Sequence, residues 1–115
     1  MIIAIVGSRG IQTIEPSRYL PDDCTEIVSG GAKGVDQCAA AYAKEKGIRL
    51  TEFIPEYDKY GRAAPLVRNR LIVEYADRVI TFWDGRSKGT LYVIRYCETI
   101  GKPCLVIREN KKSCP

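Results

Sequence analysis

"IVSGGAKGVD" (27–36) decides how this chain is read. An apolar run ends in two adjacent glycines, a third glycine follows at 34, and a long helical pattern then begins. This is a strand passing through a tight turn into a helix, the unit from which parallel α/β sheets are built. The turn fits neither GxxxxGK[ST] nor GxGxxG in register, so neither an ATPase loop nor a dinucleotide fingerprint is present. Two uses of the glycines stay open: a plain strand-to-helix turn, or close approach of bare backbone N–H groups at a helix N-terminus to a phosphate.

Working outward, short β-branched or aromatic runs at 2–6, 26–28, 50–54, 78–82 and 104–107 predict strands. Between them the periodicity predicts a short helical stretch after Pro16 and helices at 33–46, 65–76 and 88–100. Gly47 and Gly101 suit left-handed caps, and Pro65 suits a first helical position. Strands alternating with helices predict a parallel sheet covered on both faces, a single-domain three-layer Rossmann-like sandwich of strand order 3-2-1-4-5. The domain is expected over 1–108, with 109–115 a flexible basic tail.

Composition narrows the chemistry. The chain has 115 residues, five cysteines and no histidine. Without histidine or CxxC spacing, a zinc site, a Cys–His nucleophile and a Ser-His-Asp triad are all disfavoured. Cys38, Cys97 and Cys104 lie in helix or strand patterns, where a thiol acts as a small hydrophobe. A net charge of +4 permits nucleotide or nucleic-acid partners without demanding them. No signal peptide and no membrane-length apolar run is visible, so a cytoplasmic protein is expected, with no membrane partner.

The predicted strand order reverses between the first and fourth strands, and ligands in such sheets bind beyond the strand ends at that point. The loops converging there are "GSRG" (7–10), "SGGAKG" (29–34) and "WDGRSKGT" (83–90). The last places Gly85, Ser87, Gly89 and Thr90 at a helix start beside Arg86 and Lys88, where cations oppose the helix dipole by ~0.3–1 kcal/mol each. A bound anion would offset that cost. The same oddity recurs with Arg62, Arg68 and Arg70 around Pro65. Arg68 and Arg70 cannot share one face, so one of them is expected to point away. Asp36, in the first turn after Gly34, either serves the helix dipole or meets a ligand hydroxyl. Tyr57, Tyr60 and Trp83 flank these loops as candidate stacking surfaces.

Taken together, "GSRG", "IVSGGAKGVDQCAAAYAKEKGI", "DKYGRAAPLVRNR", "ADRVITFWDGRSKGT" and "GKPCLVI" resemble the YspA-like group, in the YpsA-related branch of the SLOG superfamily that unites Smf/DprA-like and LOG-like proteins. The resemblance spans about residues 2–107. It implies a nucleotide or nucleotide-derived ligand, sensed or processed, held by backbone N–H groups of Gly30-Gly31 and Gly89-Thr90. Gly7, Ser8, Ser29, Ser87 and Thr90 would add hydroxyls or close backbone, and Arg9, Lys33 and Arg68 charge. Asn69 and Asp36 would border the ligand, and Trp83 or Tyr57 its base. No cofactor is required; magnesium would arrive with phosphates.

Two alternatives accompany that reading. LOG-like enzymes cleave the N-glycosidic bond of nucleoside monophosphates with a PGGxGTxxE segment. Here the matching stretch runs from Gly85 to Val93, with valine at the glutamate position. Asp84 is then the best remaining catalytic carboxylate, ahead of Asp36, Glu56 and Asp58. The DprA-like alternative is a single-stranded DNA-binding module, which needs Arg9, Lys33, Arg62, Arg68, Arg70 and Lys88 in one line. Family analogy also suggests a homo-oligomer pairing through helix 65–76.

Overall fold

A computed structural model describes residues 1–8, 10–11, 14–31 and 34–108. The strands are β1 (Ile2–Gly7), β2 (Glu26–Ser29), β3 (Arg49–Glu52), β4 (Arg78–Trp83) and β5 (Cys104–Arg108). The helices are α1 (Val35–Lys46), the single turn α2 (Tyr57–Tyr60), α3 (Ala64–Tyr75) and α4 (Lys88–Ile100). Short 3-10 turns lie at Pro16–Arg18 and Gly61–Ala63. All neighbouring strands run parallel in the order β3-β2-β1-β4-β5, as the sequence predicts.

Alternation along the strands builds two cores. Ile3, Ile5, Ile27, Ile80 and Phe82 pack on one face with Val35, Ala39 and Ala43 of α1. Ala4, Val28 and Val79 pack on the other with Ile72 and Val73 of α3 and Val93 and Cys97 of α4. Strands hydrophobic on both faces are what a helix-covered parallel sheet requires. Cys97 is buried in that second core as a small hydrophobe. Among the described residues no helix is long and apolar enough to cross a membrane.

The caps behave as their chemistry dictates. Gly47 (φ 68°) and Gly101 (φ 73°) both turn left-handed, and their N–H groups close on carbonyls of the preceding turn. Pro65 sits in the first turn of α3, where no N–H is needed.

Most element boundaries differ from expectation by a residue or two, and three of the shifts have structural consequences. β3 ends at Glu52 and not at 54, because Phe53 turns to stack edge-on against Tyr75, ring centroids 5.5 Å apart. α1 begins at Val35, with Gly34 (φ 79°) as its cap. Ala76, expected in the helix, is extended at the end of α3, although its N–H still reaches the Ile72 carbonyl at 3.2 Å. The expected tail at 109–115 lies outside the described residues.

Candidate functional site

The chain reverses direction between β1 and β4, and a cleft of about 160 Å³ opens beyond their carboxyl ends. Its floor is Val6 and Gly7 at the end of β1 and Gly30 after β2. One wall is Pro65, Arg68, Asn69 and Ile72 of α3; another is Ser87, Gly89 and Thr90 at the start of α4. Asp36 in the first turn of α1 completes it. The start of α4 and the first turns of α1 and α3 therefore meet at one place. Each helix start carries N–H groups without intrahelical acceptors and a partial positive charge.

Of these, the α4 end carries a side-chain cap. Ser87 caps the helix: its Oγ accepts from the Thr90 N–H at 3.3 Å. The Ser87 hydroxyl also donates to Thr90 Oγ1 at 3.3 Å, and Thr90 Oγ1 lies 3.3 Å from Ser8 Oγ. Ser8 is buried and accepts in turn from the Asp84 N–H at 3.2 Å. Three hydroxyls are thus gathered beneath the first N–H groups of α4, an arrangement suited to an anion.

The glycines divide by purpose. A Cβ on Gly7 would lie 2.3 Å from Val35 Cγ2 and one on Gly30 2.4 Å from Arg68 Nη1. Gly31 and Gly85 have positive φ and are crowded by Ile54 and Arg108 respectively. These glycines have reasons inside the protein itself. Gly89 has none: it is helical, its φ is ordinary, and a Cβ there would meet nothing within 4 Å. A glycine in a helix interior costs roughly 0.8–1 kcal/mol relative to alanine, an upper bound for Gly89 in the first turn of α4. Here it keeps open the side of the cleft nearest the helix dipole.

No family model, curated protein or solved structure matches the chain.

Asp84 is turned toward its own loop. Its Oδ1 accepts from the N–H groups of Arg86 and Ser87, both at 2.8 Å, fixing the turn that delivers Ser87 to the α4 cap. Trp83 also serves this loop: its Nε1 donates to the Ser87 carbonyl at 3.1 Å, and the Arg108 guanidinium lies 5.6 Å over its ring. Arg108 passes so close to Gly85 that a side chain there would collide with it.

The two arginines of α3 part as the helical period requires. Arg68 enters the cleft, donating from Nη1 to the Gly30 carbonyl at 3.1 Å and from Nε to Asn69 Oδ1 at 2.7 Å. Arg70 lies 5.3 Å over the ring of Tyr96, whose hydroxyl donates to Glu74. The phenol beside that carboxylate is held above its ordinary pKa.

Of the other expected residues, Ser29 is fully buried at the end of β2, and its Oγ has no partner among the described residues. Gly34 caps α1. Tyr57 is 58 % exposed on α2. Arg9 and Lys33 lie outside the described residues. Reading the sequence missed Val6, Pro65 and Ile72 as cleft walls and Arg108 as the partner of Trp83, because none belongs to a glycine loop. Among the described residues no group of three or more His, Cys, Asp or Glu could hold a metal ion.

Proposed function

We propose that the protein binds a nucleotide or nucleotide-derived ligand by its phosphate, as a YspA-like member of the SLOG superfamily. The observation that carries this reading is the open space over Gly89 at the head of α4, facing Arg68 and Asp36 across the cleft. A phosphate placed there would meet helix N–H groups, the Ser87–Thr90–Ser8 hydroxyls and the positive charge of Arg68. Asp36, buried and acidic, suits a donor on the ligand such as a ribose hydroxyl.

The cleft, at about 160 Å³, is smaller than the roughly 300–1,000 Å³ of sites that engulf a whole drug-sized ligand. The phosphate and sugar would be enclosed and the base left near the rim. Magnesium enters this reading only as a companion of the phosphates. Arg70 stands over Tyr96 and not beside Arg68, which favours one pocket over a basic groove for single-stranded DNA. Asp84 bracing its own loop favours binding over glycosidic cleavage.

The test is a thermal-shift and calorimetric titration with AMP, ribose 5-phosphate, adenosine and a short DNA strand. Phosphorylated ligands should stabilise the fold and adenosine should not. Ligand at 100 times its dissociation constant adds about 2.7 kcal/mol, a rise of several degrees in a domain of this size. Stabilisation by DNA alone would replace this reading with the nucleic-acid one, and no response from any of the four would reject both.

A further inference from the structure

The two edges of the sheet are built differently. β3 carries exposed charges at both ends, Arg49 and Glu52, the usual protection of an edge strand. β5 reads Cys-Leu-Val-Ile-Arg, the apolar run of a strand covered on both sides, yet among the described residues it is the last strand of the order. Leu105 is 50 % exposed on one face of the sheet and Val106 41 % exposed on the other. On the Leu105 face, Tyr19 and Pro21 stand across an apolar groove of about 370 Å³.

The backbone fixes which groups are offered. The Pro103 carbonyl accepts from the Val79 N–H at 2.9 Å, so residue 103 faces β4. Alternation along the ladder then turns Leu105 and Ile107 toward β4 and leaves the N–H and C=O of Cys104, Val106 and Arg108 facing outward. An outward row with apolar side chains on both faces is a template for another strand.

We propose that the protein forms a two-fold dimer in which the β5 strands of two copies pair antiparallel about Val106, joining the sheets into one. The segment is self-complementary in this register. Val106 meets the same residue of the second copy, and Cys104 meets the partner's Arg108, so within the described strand no like charges face each other although each chain carries +4. Leu105 of each copy lies diagonal to its symmetry mate on a continuous apolar face.

Size-exclusion chromatography with light scattering, under thiol reductant and from micromolar to sub-millimolar concentration, tests the proposal. The full chain should elute at twice its own mass. Val106→Pro should halve that mass with an unchanged far-ultraviolet circular dichroism spectrum, because the N–H it removes points away from β4 and proline is tolerated at such an edge position. Val106→Lys, which would set two ammonium groups opposite each other, should do the same if the proline variant misfolds. A wild-type chain that stays monomeric overturns the proposal. So does a folded variant that remains dimeric, as it would if the copies met through the exposed Leu66 and Leu71 of α3.

Discussion

The guanidinium of Arg68 lies against the backbone of Gly30, so close that a methyl group on residue 30 would sit 2.4 Å from Nη1. A glycine of the turn that decides the fold thus makes room for an arginine thirty-eight positions away. Because the crowded atom is the far end of a flexible side chain, Gly30→Ala should fold, with Arg68 displaced. Urea melts of Gly30→Ala, Arg68→Ala and the double variant should be non-additive by about 0.5–3 kcal/mol, as for residues in contact. Additive losses would separate the two residues.

Gly89→Leu isolates the ligand from the fold. The substitution fills open space and replaces a poor helix former, so the apo protein should melt no lower, its stability unchanged or higher by up to about 1 kcal/mol. AMP-induced stabilisation should vanish. Gly31 is a poorer choice: its φ of 72° and its contact with Ile54 would strain any larger residue and confuse binding with folding.

Gly7→Ala should be costly in itself. The new methyl group would strike Val35 at Cγ2, Cβ and Cγ1, at 2.3, 2.5 and 2.8 Å, in a closed core. Overpacking of this kind costs typically 1–3 kcal/mol, measurable by urea unfolding. The pair Gly7→Ala with Val35→Ala should recover part of the loss.

Asp84→Ala should remove the brace of the 84–87 turn and cost about 0.5–1.5 kcal/mol for each backbone hydrogen bond lost. Asp84→Asn keeps an acceptor and should lose less. Base release from a nucleoside monophosphate that disappears in Asp84→Asn, with the melt unchanged, would give Asp84 a chemical role in place of the structural one.

Glu26 gives the fold a pH signature. Its carboxylate accepts from Thr51 Oγ1 at 2.6 Å and from the Tyr75 hydroxyl at 2.7 Å, and these bonds hold its pKa below the ordinary value. The same bond raises the pKa of Tyr75. A depressed carboxylate adds stability above its unfolded pKa of about 4.3 and loses it as pH falls through the folded value. A raised phenol adds stability below about pH 10 and loses it as pH rises through the folded value. Stability against pH should therefore fall at both ends, and Glu26→Gln should flatten both limbs. An unchanged acid limb in Glu26→Gln would exclude Glu26 as its source.

What the sequence determined by itself is the path of the chain: strands from short apolar runs, helix ends from Gly47, Gly101 and Pro65, and the order β3-β2-β1-β4-β5 from right-handed crossovers. Those signals are local, since period, cap and turn chemistry act within a few residues. The switch-point loops were legible too, because their glycines and hydroxyls stand out in composition. Only the tertiary structure decided what each residue there does. Gly7 and Gly30 make room for Val35 and Arg68, while Gly89 makes room for nothing in the protein. Asp84 holds its loop, Arg68 turns into the cleft while Arg70 turns out to Tyr96, and Arg108 closes on Trp83. Each of these depends on partners far along the chain, and close packing, not local preference, chooses among them.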